Sequence, residues 1–104
     1  MSARKVLVVS LWLREGVAAA ALESFEARVA KIQARYGGRI ERAIRTSPSA
    51  AVPSAPFEVH VVSFPDDASL AAYRADPEIR ALAEQRASLI ARTEIVEGVD
   101  VPVY

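Results

Sequence analysis

Residues 57–86 constrain what this chain can fold into more than any other stretch. Residues 57–64 read F-E-V-H-V-V-S-F, with the β-branched and aromatic types that suit a strand. Pro65 stops that strand, and Asp66 and Asp67 open a helical segment that runs to Tyr73. Asp76-Pro77-Glu78 then restarts the helix. The Asp oxygen accepts an orphan backbone N–H, Pro has no N–H to leave unpaired, and Glu meets the positive end of the helix dipole. A strand, a stop and a twice-started helix thus form one βα unit.

The chain before it supplies a second such unit. Lys5–Leu13 is almost continuously apolar and too short for an independent helix, so it reads as a central strand buried on both faces. Leu7, Val9, Leu11 and Leu13 share its aliphatic face, which should meet helices. Val6, Val8, Ser10 and Trp12 share the other. Residues 17–36 carry Ala18, Leu22, Phe25, Val29, Ile32 and Tyr36 at alternating spacings of four and three, one apolar stripe of a helix. Glu23, Glu26, Arg28, Lys31 and Arg35 fall largely on solvated faces. Gly37-Gly38 ends the helix, because glycine takes the left-handed conformation without a Cβ clash.

Residues 39–46 alternate, with Ile40, Arg42 and Ile44 on one side, and read as a polar edge strand. Residues 47–56 hold three prolines among small residues, which excludes a helix or a central strand and leaves a long connection. Beyond the organising stretch, Ile79, Leu82, Ala83, Leu89 and Ile90 form a buried stripe, with Arg86 pointing along it. Residues 92–104 alternate as a last strand. Thr93 and Ile95 share a side, Gly98 suits a bulge, and Pro102 puts the final residues at an edge or outside the sheet.

The order β-α-β-β-α-β is that of the ferredoxin-like α+β fold, a four-stranded antiparallel sheet with two helices on one face. Right-handed crossovers give strand order 4-1-3-2. At 104 residues the chain is one domain, residues 1–104, with a modest core. The uncovered sheet face, expected to carry Val6, Val8, Trp12, Val62 and Phe64, is too apolar to leave in water. Pairing two such sheets as a homodimer solves this.

The chain resembles the dimeric α/β-barrel superfamily, and within it the branch called domain of unknown function thirteen-thirty. Tyr36-Gly37-Gly38-Arg39 matches that branch's helix end, and Phe64-Pro65 its strand end. Tyr73-Arg74-Ala75-Asp76-Pro77-Glu78 is similar to its W-Y-x-S-P-E segment. Arg86 falls where the family has an Arg, and Val96-Glu97-Gly98-Val99 matches its close. Ile79 stands where the branch prefers Tyr, and Arg74 replaces its second aromatic. The superfamily includes cofactor-free monooxygenases, haem-degrading enzymes and isomerase-like proteins, so the resemblance implies an architecture and not an activity.

Composition narrows the chemistry. Thirteen basic residues balance thirteen acidic ones, which removes the electrostatic drive for nucleic-acid binding. The chain has no cysteine, hence no disulfide, thiolate chemistry or thiolate metal site, and no asparagine, which disfavours an acylphosphatase-type reaction. One histidine and scattered carboxylates give no metal-ligand spacing, so no metal and no cofactor is expected. No run reaches the ~20 apolar residues of a membrane span. Arg14-Glu15 interrupts the N-terminal apolar run, which reads as a strand and not as a signal peptide, and the expected location is the cytoplasm.

Two residues are candidates for catalysis. His60, the sole histidine, shares a strand face with Glu58. The pair reads either as a coupled general base or as a histidine of the dimer interface, on the face of Ser10 and Trp12. Arg86 on an apolar stripe needs a partner. It reads as an ion pair with Glu94 or Glu41, or as the anchor of a ligand's carboxylate or enolate. Trp12, Tyr73, Ser10 and Glu58 are the candidate ligand-binding residues, with core or interface packing as the alternative for Trp12 and Tyr73. These residues suit a homodimer that binds a small organic molecule, as a cofactor-free enzyme of proton transfer or monooxygenation. A non-catalytic dimerisation module is the alternative.

Overall fold

The computed structural model describes residues 3–104. Its elements are β1 (Lys5–Leu13), α1 (Ala19–Ala34), β2 (Arg39–Arg45), β3 (Glu58–Phe64), α2 (Asp67–Ala75), α3 (Pro77–Ala81), α4 (Ala83–Leu89) and β4 (Ile90–Gly98). The sheet is antiparallel throughout, in the order β2-β3-β1-β4. This is the expected topology, with β1 and β3 in the centre. The expected second helix is divided in three, by Asp76 and again by Leu82. The last strand ends at Gly98, and the residues after it are exposed and outside the sheet.

All the helices lie on one face of the sheet. Leu22, Phe25, Val29 and Ile32 of α1 are buried against Leu11, Leu82 and Ile90. A second cluster joins Leu7, Val62, Phe64 and Leu70. Gly37 ends the helical segment with φ +74°, and a Cβ on it would meet Pro65 Cγ at 2.7 Å. Gly38 permits a second close approach, since a Cβ there would lie 2.7 Å from the Phe64 ring.

Asp76 is the N-cap of α3, as its sequence signature implies. Its Oδ1 accepts from the backbone N–H of Glu78 at 2.7 Å and of Ile79 at 3.3 Å. Its Oδ2 accepts from the Tyr36 hydroxyl at 2.5 Å, which ties the end of the α1 segment to the start of α3.

The register decides which face each strand residue occupies, and here the expectation needs correction. Directly opposed residues share a face. β1 and β3 pair Leu7 with Val62, Val9 with His60 and Leu11 with Glu58. Val62, Phe64, His60 and Glu58 therefore face the helices and not the open side. The open side carries Val6, Val8, Ser10 and Trp12 of β1 with Val59, Val61 and Ser63 of β3. A bulge at Glu41 also splits the expected alternation of β2. Ile40 stands opposite Val62 on the helix side, while Arg42 and Ile44 stand opposite Val61 and Val59 on the open side.

Principal extents of 42 × 40 × 17 Å describe a slab one sheet and one helix layer thick. No helix covers the open face, on which Val8, Ile44 and Val96 are exposed while Val6 and Ser63 are buried. Among the described residues no helix is long and apolar enough to cross a membrane.

Candidate functional site

A cleft of about 80 Å³ lies between the sheet and the helices. Its floor is Leu7, Val9, Leu11, His60 and Val62, and its helical wall brings Glu26, Val29, Gln33, Leu70, Tyr73 and Arg86. Thr93 and Ile95 of β4 line it as well, and Ile95 is exposed, so the cleft opens along that strand. Most of the lining is apolar, with a few polar groups converging on it, the usual make-up of a small-molecule site.

His60 is 5% exposed, and its Nε2 lies 2.5 Å from Glu58 Oε2. The other Glu58 oxygen accepts from Arg45 Nε at 2.9 Å and Nη2 at 2.7 Å. Burial pushes the Glu58 carboxyl up, but the hydrogen bonds from His60 and Arg45 outweigh it and hold the group below the usual carboxylate range. Glu58 is therefore an anion that accepts a hydrogen bond from the His60 Nε2–H, which leaves Nδ1 as the ring nitrogen not engaged by Glu58. Arg45 is held in turn by the Phe57 ring, 4.4 Å from its guanidinium carbon.

Arg86 pairs with neither Glu94 nor Glu41, which both belong elsewhere. Glu94 bonds Arg92, and Glu41 accepts from the Ser63 hydroxyl at 2.7 Å on the open face. The Arg86 guanidinium instead lies 5.5 Å from the centre of the Phe25 ring, beside Glu26. Among the described residues it has no carboxylate within 4.0 Å. A guanidinium that lines an apolar cleft, near Glu26 but with no carboxylate within 4.0 Å, suits the anchoring of an anionic oxygen.

Glu26 reads as solvated in the sequence, yet it is half-buried in the cleft wall. Burial pushes its carboxyl up, opposed by the charges of Arg86 and His60. It precedes Val29 by three residues and Gln33 by seven, so one face of α1 carries all three. Tyr73 packs against Phe64 at 5.2 Å and Tyr36 at 6.4 Å between ring centres. Its hydroxyl is pushed up by burial, an effect partly offset by a hydrogen bond with the Gln33 amide.

The structure thus gathers His60, Arg86 and Tyr73 around one cleft, with Glu58 outside the lining and bonded to His60, and leaves Trp12 and Ser10 outside it. Both lie on the open side of β1. The Trp12 indole N–H donates to the Ser54 carbonyl at 3.0 Å, and Arg92 stacks over its ring at 4.6 Å. Trp12 therefore fastens the 47–56 connection to the sheet, over a wide depression that holds no acid–base pair. Among the described residues no three His, Cys, Asp or Glu side chains are grouped to hold a metal ion.

No protein-family model matches the sequence, and no curated protein is similar to it in sequence. Solved structures are similar to it in fold. A dabb-family protein from Mesorhizobium loti, described as having a ferredoxin-like fold, superposes with a TM-score of 0.66 at 17% identity, over 97% of this chain and all (100%) of that one. The chain has the ferredoxin-like fold. Two further structures share this ferredoxin-like frame. A protein of unknown function from Rhodopseudomonas palustris gives a TM-score of 0.81 at 13% identity, over 99% of this chain and 86% of that one. SnoaB from Streptomyces nogalater, described as a cofactor-independent oxygenase, gives 0.72 at 19% identity, over 98% and 97%. The likeness at these identities is one of fold.

Proposed function

We propose that the protein is a homodimeric small-molecule-binding protein whose helix-facing cleft carries out proton transfer on an enolisable carbonyl compound without a cofactor. The observation that carries this reading is the chain of hydrogen bonds from Arg45 through Glu58 to His60, which ends at the floor of an apolar cleft. His60 takes the α-proton through Nδ1. The C–H bond breaks, and its electron pair moves onto the carbonyl oxygen. Glu58 stabilises the imidazolium so formed, and Arg86 stabilises the enolate. Return of the proton to the same carbon or to a conjugated one completes an exchange or an isomerisation.

A second reading, cofactor-free oxygenation, draws support from the fold likeness to SnoaB, a cofactor-independent oxygenase. It begins with the same deprotonation, and dioxygen then adds to the carbanion. The dimer reading rests on the helix-free open face with its exposed Val8, Ile44 and Val96. The working compartment under this account is the cytoplasm, which the cysteine-free chain suits.

The test is deuterium exchange at the α-carbon of simple ketones, followed by proton NMR in D₂O. The protein accelerates exchange. His60→Ala lowers the rate by about 10²-fold or more, the usual share of a general base, and Arg86→Ala weakens both binding and rate. Wild-type rates in both variants would contradict the reading.

A further inference from the structure

One polar atom in the cleft wall has no use in the chemistry above. Gln33 is 9% exposed, and its Oε1 is the one buried side-chain oxygen or nitrogen among the described residues without a hydrogen-bond partner. Leaving a buried carbonyl oxygen unpaired is costly, so native structures provide nearly all such atoms with a donor. Among the described residues no group donates to it, although the Tyr73 hydroxyl and Arg74 line the cleft together with the apolar Leu7, Val29, Val62, Phe64 and Leu70. The Tyr73 hydroxyl lies beside the amide.

We propose that Gln33 is the specificity residue of this cleft, and that its Oε1 accepts a hydrogen bond from a hydroxyl on the ligand, remote from the acidic carbon. The inference rests on the proton-transfer reading of the same cleft and names its substrate class. The placement follows from helix geometry. Glu26 and Gln33 are seven residues apart on one face of α1, a rise of about 10 Å along the axis. Glu26 lies beside Arg86 and His60, while Gln33 lies beside Tyr73, which packs on Phe64. A ligand that spans both ends carries its carbonyl near Arg86 and its hydroxyl near Gln33. The apolar walls between them demand an apolar body, and the narrow cavity a slender one. The substrate class is thus an enolisable carbonyl compound with a distal hydroxyl. A site built to pair a hydroxyl rejects the analogue that lacks it, because the protein acceptor is then left unpaired.

The test compares 4-hydroxyacetophenone with acetophenone, an enolisable ketone with and without the distal hydroxyl. Ligand-observed NMR gives affinity, and deuterium exchange of the methyl group gives turnover. Wild-type protein binds the hydroxylated ketone about tenfold or more tightly over the plain one, the scale of one buried hydrogen bond. Gln33→Leu and Gln33→Met bring that ratio to near one, while exchange of acetophenone still depends on His60. In the absence of ketone, at least one of the two variants unfolds at the same temperature as the wild type or higher, because an unpaired buried amide has been removed. Equal affinity of wild type for the two ketones, with exchange still dependent on His60, overturns the role of Gln33 and leaves the proton-transfer reading standing. Binding of neither ketone overturns both. Loss of stability in both variants shows that Gln33 Oε1 has a partner within the folded protein, and overturns the inference.

Discussion

Glu58 is gripped from two sides, by His60 Nε2 on one carboxylate oxygen at 2.5 Å and by Arg45 on the other at 2.7 Å. Arg45 touches no ligand in this arrangement and acts through Glu58, as a positioning residue for His60. Glu58→Gln preserves the shape and removes the charge that stabilises imidazolium. The exchange rate should then fall by about 10-fold to 100-fold, short of the loss in His60→Ala. Arg45→Met should give a smaller fall than Glu58→Gln, with no change in ketone affinity. Equal rates for wild type and Glu58→Gln would remove Glu58 from the mechanism.

The same grip makes stability depend on pH. The Glu58 carboxyl is depressed in the fold below its ordinary 4.5. Its contribution is therefore fully present above that value and is lost as pH falls through the folded pKa. Asp76 is depressed too, chiefly by the Tyr36 hydroxyl, and Asp66 by the Ser69 backbone N–H, so they act in the same direction. Glu26, whose carboxyl burial pushes up, acts in the opposite direction, but the three depressed carboxyls outnumber it, and urea midpoints should fall below about pH 4.5. Glu58→Gln should shrink that acid-side loss. A midpoint that rises on acidification would contradict the sign.

Asp76 joins three groups at once: the N–H of Glu78, the N–H of Ile79 and the hydroxyl of Tyr36. Asp76→Ala removes a helix cap and leaves the half-buried Tyr36 hydroxyl without its acceptor. Tyr36→Phe removes only that hydroxyl and keeps the ring against Tyr73. Thermal unfolding should show Asp76→Ala as the more destabilising change. The double variant should be less destabilised than the sum of the two single ones, since the contact can be lost only once. Strict additivity would show that the two residues do not interact.

The open face should dimerise. Val8 stands at its centre between Val61 and Val96, which makes it the sharpest site for a charge. Val8→Asp should convert a dimer to a monomer in sedimentation velocity and leave the helix-side core intact. A wild-type monomer, or a dimer untouched by the substitution, would remove the paired-sheet account.

How far the sequence could be read is clearest in β3. Alternation groups Glu58, His60, Val62 and Phe64 on one side without doubt, because the strand repeat is two residues. It does not say which side. That depends on the register against β1, where His60 meets Val9 and not Ser10, and register arises from long-range packing. The α1 stripe and the Asp76 cap are local, and both were legible. Glu26 is the instructive miss. It follows Phe25 and lies three residues before Val29, at the border of the stripe, where a carboxylate reads as solvated until the neighbouring Arg86 is known. Gln33, next to Ile32 and four after Val29, gave the same border signal. Trp12 drew attention by its rarity, whereas its partner Ser54 lies in a connection whose path composition does not specify.

Amide and indole chemical-shift mapping with 4-hydroxyacetophenone tests the central claim most directly, because it reports where a ligand sits without presuming turnover. The helix-facing cleft predicts shifts concentrated at Glu26, Gln33, His60 and Thr93, with the Trp12 indole and Ser54 unmoved. Shifts confined to Trp12, Ser54 and the 47–56 connection would place the ligand outside the cleft and contradict the account.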